Sequence, residues 1–149
     1  MNHYEILFVV KPTLTDEETR TQIERAAAII TEHGGEIVAT DDMGMRRLAY
    51  PIEKHERGYY TVIYFKAPGA LIAELERQMR YNEEILKFMT VKYLKKKEVT
   101  QFKKLVTEAE RKAKGPDAST EPETPADETP AESTESATET AQTHEEKEV

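Results

Sequence analysis

Cysteine and tryptophan are absent from the 149 residues. Without cysteine there are no disulfides, thiolate metal sites or cysteine nucleophiles. Long apolar runs are also missing. None exceeds five residues, as in Ile6 to Val10, against the ~20 that a membrane helix needs. The opening Met1-Asn2-His3-Tyr4-Glu5 has no basic cluster and meets an acid at once, unlike a secretory leader. The expectation is a cytoplasmic protein. Glycine is scarce, with six in all, and no Walker loop, Rossmann fingerprint or nucleophile elbow occurs. The four histidines, His3, His33, His55 and His144, stand apart in sequence, with no metal-ligand spacing. His33 falls in the last turn of a helical pattern, where a cation is favoured without any further role. The acid pairs Glu17-Glu18 and Glu83-Glu84 sit at element starts rather than in a cleft. The inventory therefore points away from an enzyme and implies neither cofactor nor metal.

Charge is present but unevenly spread. The chain carries 29 acids and 21 bases, a net of −8. Residues 1–114 hold 20 bases and 18 acids, a net of +2, whereas residues 115–149 hold one base and 11 acids, a net of −10. The second segment lacks aromatics, Leu, Ile and Met and is built of Thr, Ser, Pro, Ala and Glu. It has nothing to bury against the ordering entropy of roughly 1–2 kcal/mol per residue. Residues 115–149 are thus expected to form a disordered acidic tail, and partner arguments must rest on the body.

Along the body, residues 3–10 alternate as a strand, with Tyr4, Ile6, Phe8 and Val10 on one face and Glu5, Leu7 and Val9 on the other. Thr15 with Glu18 forms a capping box, and Ile23, Ala26, Ala27 and Ile30 follow at helical spacing up to Gly34-Gly35. A second extended segment runs from Glu36 to about Ala49 and ends at Pro51. A bulge or bend is expected between Asp41 and Gly44, where strand formers are few. After a loop from Ile52 to Glu56, residues 58–65 give the strongest strand signal. Leu71, Ile72, Leu75 and Met79 mark a second helix ending near Tyr81-Asn82, and Ile85 to Leu94 forms the last strand. This order predicts an α+β, ferredoxin-like βαββαβ fold: a four-stranded antiparallel sheet with two helices on one face and the other face open. Val99, Phe102, Leu105, Val106 and Ala109 predict a C-terminal helix over residues 98–113, firm only if something covers its apolar stripe. The expected organisation is a domain over 1–97, a helical extension over 98–114 and the tail.

The open face would display Leu7, Val9, Tyr60, Val62 and Tyr64, which is unusually apolar for a solvated surface. Bases gather at Arg46-Arg47, Arg77, Arg80, Lys87, Lys92 and Lys95-Lys96-Lys97, where they could meet phosphates. Arg57-Gly58-Tyr59-Tyr60-Thr61-Val62-Ile63-Tyr64 partly matches the third-strand signature of the RNA-recognition motif. Tyr60 and Thr61 depart from it. Strand alternation also turns Tyr59 and Thr61 towards the helices, out of phase with base stacking.

The opening Met-Asn-His-Tyr-Glu-Ile, the run Met43 to Lys54 with Arg47-Leu48-Ala49-Tyr50-Pro51-Ile52 at its centre, and Met79 to Lys87 together resemble the bacterial small-subunit ribosomal protein S-six family. The resemblance covers about residues 1–97. It implies a non-catalytic ferredoxin-like protein, cytoplasmic and ribosome-associated. Such a protein binds ribosomal RNA of the subunit's central domain as a heterodimer with the small basic ribosomal protein S-eighteen. The RNA-contacting residues would then be Arg80, Lys87 and Lys92, with Arg46 and Arg47. The partner would dock on Tyr50, Tyr60, Val62 and Tyr64. The chain departs from the family at Asn2, where arginine is common, and at Met43, where some relatives have an aromatic. Two other readings of the fold are a stand-alone binder of single-stranded RNA and a small-ligand regulatory domain.

Overall fold

The computed structural model describes residues 1–115; the tail expected over 115–149 lies, apart from Gly115, outside the described residues. The elements run β1 (Asn2–Val10), α1 (Asp16–Glu32), β2 (Glu36–Ile52), β3 (His55–Ala67), α2 (Gly69–Tyr81), β4 (Ile85–Tyr93) and α3 (Lys96–Ala113). The strands form one sheet in the order β2-β3-β1-β4, with every neighbouring pair antiparallel. This is the predicted ferredoxin-like arrangement, with the first and third strands central.

Local chemistry sets the boundaries. Thr15 Oγ1 accepts from the Glu18 N–H, and the Thr15 N–H donates to Glu18 Oε2 at 2.8 Å, completing the capping box of α1. The Thr15 N–H, and the Thr15 hydroxyl donating to the same oxygen, hold the Glu18 carboxyl below its usual range. At the other end, Gly34 takes φ +80° and Gly35 N–H returns to Ile30 O at 2.8 Å, a left-handed helix stop suited to glycine. The β2–β3 pairing slips between Asp42 and Gly44, at the expected bulge, and also between Ile37 and Ala39. Pro51 does not end β2. Past Arg47 the regular ladder lapses, Ile52 pairs with His55, and the turn is Glu53-Lys54 with φ of 49° and 68°. A two-residue turn with both φ positive matches the twist of a hairpin, so strand structure replaces most of the expected loop.

Alternation along β1 and β3 produces two cores. On one face Tyr4, Ile6, Phe8, Ile63 and Phe65 are buried with Ile30 of α1 and Leu75 of α2. Thr61 also points to this side; it is fully buried and its hydroxyl donates to Asp42 Oδ1.

The expectation of an open second face is corrected by α3. Its residues Phe102, Val106 and Ala109 are buried with Ala39, Val62 and Tyr64 in a second core. Phe102 meets the rings of His3, Tyr64 and Tyr93 edge-on, with centroids 5.0 to 5.8 Å apart. Glu98 Oε2 accepts the N–H groups of Leu94 and Lys95 and fixes the start of the helix. Lys112 Nζ bonds Asp41 Oδ2 at 3.0 Å, tying its last turn to β2. The helix alone is marginal, and this packing is what holds it. Burial, with Glu5, Asp41 and Glu108 nearby, pushes the Tyr64 hydroxyl up to about 12.

Two substitutions test these contacts. A Cβ on Gly58 would lie 2.3 Å from Val9 Cγ1 and 3.4 Å from Val10 O, so Gly58→Ala should cost about 1–3 kcal/mol through overpacking. Urea unfolding would read this, and unchanged stability would show that β1 and β3 can separate without penalty. Phe102→Ala should cost about 3–5 kcal/mol, as for a fully buried aromatic. A loss below 1 kcal/mol in the same assay would mean that α3 is not docked in solution.

Candidate protein and nucleic-acid interface

The part of the second sheet face that α3 leaves uncovered is a groove rather than a plane. Leu7, Val9 and Tyr60 lie in it from the central strands, Leu48, Ala49, Tyr50 and Ile52 from the far end of β2, and Lys87, Phe88 and Met89 from β4. It encloses about 190 Å³. The register explains its place. Val9 is opposite Tyr60 and Lys87, towards the finish of β1, whereas the α3-covered Tyr64 is opposite Glu5, near its start. The end of the β2–β3 hairpin, where pairing lapses, supplies one wall. Lys87 Nζ donates to the Tyr50 hydroxyl across the groove. Tyr50 and Met89 remain 54% and 53% exposed although both belong to this apolar lining. Such a surface is suited to a protein partner with an apolar anchor and a rim that tolerates a cation.

The residues singled out from sequence therefore divide. Tyr50 and Tyr60 line the groove, but Val62 and Tyr64, 8% and 5% exposed, lie beneath α3 and are not available to a partner while that helix is docked. The assignment of all four to one exposed face failed because a segment from the chain itself occupies part of it. Sequence reasoning also missed Leu48, Ile52 and Met89. Met89 was legible, being two residues from Lys87 on the same face of β4. Leu48 and Ile52 were not, because their position depends on how the hairpin bends past its last regular pair.

The candidate RNA-contacting residues are all exposed, and none has an ion-pair partner among the described residues. Arg46 and Arg47 sit opposite Gly58 and Arg57, and Arg80 lies in the last turn of α2. The chain leaving α2 enters β4 beside Lys11, whose N–H bonds Glu84 O. Arg80, Lys87 and the Arg46-Arg47 pair thus share the end of the sheet where β1 finishes. Lys92 does not. It pairs with Tyr4, near the start of β1, and its ammonium approaches the Tyr4 ring on the helix-covered side. Five residues of strand, about 17 Å, separate it from Lys87. Arg77, by contrast, is held by Glu74 in a two-point contact at 2.6 and 2.8 Å, and its bonds drive the Glu74 carboxyl down to about 2.

Among the described residues no group of three His, Asp or Glu side chains is placed to hold a metal ion. His33 bonds its own helix through Ile29 O at 2.9 Å, which accounts for its position. The aromatic positions of the RNA-recognition signature, Tyr59 and Thr61, face the α1–α2 side, as strand alternation required. No described helix is long and apolar enough to cross a membrane.

Comparison with known proteins agrees with the architecture. The family described as "Ribosomal protein S6" matches residues 3–92. The small ribosomal subunit protein bS6 of Sulfurovum sp. (strain NBC37-1) is 57% identical over 111 residues, covering 74% of this chain and 87% of that protein. Its counterpart in Helicobacter acinonychis (strain Sheeba) is 52% identical over 112 residues, covering 75% and 79%. The crystal structure of 30S ribosomal protein S6 from Thermotoga maritima superimposes with a TM-score of 0.62 at 37% identity, covering 76% of this chain and 97% of that one. Sequence, strand order and superposition converge, and the chain belongs to the ribosomal protein S6 family of the small ribosomal subunit.

Proposed function

We propose that this chain is a structural, non-catalytic component of the small subunit that binds ribosomal RNA of the central domain as a heterodimer with the small basic ribosomal protein S-eighteen. It would act in the cytoplasm on the ribosome. The observation that carries this reading is the apolar groove at Tyr50, Tyr60 and Met89, bordered by Lys87. Residues 1–114 carry a net charge of only +2, which releases few counterions from RNA. A basic partner seated in the groove would place its own charge beside Lys87, Arg80, Arg46 and Arg47 at one end of the sheet. Lys92, at the other end and on the other side, would belong to a separate contact. The stand-alone RNA-recognition reading is disfavoured because Thr61 is fully buried where a stacking aromatic should be exposed.

The test is filter binding of a small-subunit ribosomal RNA transcript by this chain, by S-eighteen, and by both, over a salt series. The pair should bind far more tightly than either alone. Tyr60→Ala should weaken the heterodimer by about 1–3 kcal/mol, in the range of a buried interface aromatic, as read by titration calorimetry. Tight RNA binding by this chain alone, with no gain from the partner, would contradict the reading.

A further inference from the structure

Helix α3 has an outer face that the sheet does not use. With Phe102, Val106 and Ala109 turned inwards, a pitch of 100° per residue sets Lys97, Lys104 and Arg111 on the opposite side. They recur every seventh residue, two turns and about 10.5 Å apart. Lys96, Lys103 and Lys114 flank them, and all six are exposed. From Lys95 to Lys114 there are eight bases and three acids. Two of those acids are already engaged: Glu98 with the Leu94 and Lys95 N–H groups, and Glu108 with Lys112 at 3.7 Å. Lys97, Lys104 and Arg111 have no ion-pair partner among the described residues. Thr100 and Thr107 lie between them, but their hydroxyls donate to Lys96 O and Lys103 O, so what the stripe offers a ligand is cationic charge.

We infer that this stripe is a second RNA-docking surface, which takes the phosphodiester backbone of ribosomal RNA through Lys97, Lys104 and Arg111. Charge complementarity names the occupant, because a straight row of unpaired cations about 21 Å long fits a polymer bearing a regular row of anions. Lysine meets phosphate as a point charge, and arginine can do so with two parallel bonds. The surface lies on α3, beyond the family match at residues 3–92. The helix presents it rigidly because its inner side is packed and Lys112 is anchored on Asp41. Contacts of this kind position RNA without reading its sequence. The inference rests on the proposed ribosomal RNA binding and adds a site to it.

The full chain with S-eighteen is titrated onto a small-subunit ribosomal RNA transcript over a salt series. The double variant Lys104→Gln/Arg111→Gln is compared with Arg20→Gln/Arg25→Gln, which removes the same charge from exposed positions on α1. The stripe variant should lower the slope of log affinity against log salt by about 1.4–1.8, the equivalent of two lost phosphate contacts, at unchanged melting temperature. The α1 variant should leave the slope nearly as it was. Equal slopes for wild type and stripe variant, with the wild type still binding, would overturn the stripe assignment while the proposed function stands. Equal losses in both variants would overturn it too, as a net-charge effect. No transcript binding by the wild-type pair would overturn the proposed function and the stripe together. Labelled polyglutamate provides the other arm. If the stripe variant weakened polyglutamate binding and spared the RNA slope, the surface would belong to an acidic protein instead.

Discussion

The central strands of this sheet are apolar on both sides, and everything else answers to that constraint. β1 sends Tyr4, Ile6, Phe8 and Val10 one way and Leu7 and Val9 the other; β3 does the same with Ile63 and Phe65 against Val62 and Tyr64. Two helices between strands can cover only the side on which right-handed crossovers place them. The remaining side must be covered by something else or expose a contiguous apolar patch. Here α3 covers the part near Val62 and Tyr64, and the groove at Tyr50, Tyr60 and Met89 stays accessible. A single alternating pattern therefore creates both the second core and the apolar groove.

This division also shapes the electrostatics. α3 crosses the sheet with its apolar stripe inwards, so its surplus of bases must face outwards, apart from Lys112, which reaches Asp41. The Asp41 side chain is only 11% exposed but Lys112 is 53% exposed, so water screens the pair and it fixes the helix end more than it stabilises the fold. Basic residues consequently occupy separate regions: one at the end of the sheet where β1 finishes, with Arg46, Arg47, Arg80 and Lys87, one along α3, and Lys92 on its own. A net of +2 over residues 1–114 conceals these local concentrations, because the acids are spread over α1, β2, the β2–β3 turn and α2.

Much of this was legible in the sequence. Element order followed from apolar periods of two and 3.6 residues, the α1 cap from Thr15 and Glu18, and the bulge from the weak strand formers between Asp41 and Gly44. The facing of Thr61 and Tyr59 followed from strand alternation alone. What escaped was tertiary. The apolar stripe of α3 was visible, but a stripe does not name what covers it, and so Val62 and Tyr64 were read as exposed. Lys92 was grouped with Lys87 by proximity in sequence, although an odd separation along a strand puts two side chains on opposite faces. The groove wall at Leu48 and Ile52 depends on the bend of a hairpin beyond its ladder, which no local pattern encodes.

In the proposed complex α3 and the protein partner share the second face rather than compete for it. Hydrogen exchange on the full chain, with and without S-eighteen, tests this directly. Exchange should slow in β4 around Met89 and in the β2 segment around Tyr50 on binding, with α3 amides as protected as before. Loss of α3 protection when the partner binds, with new protection at Val62 and Tyr64, would show that the helix is displaced and that the two compete for one face.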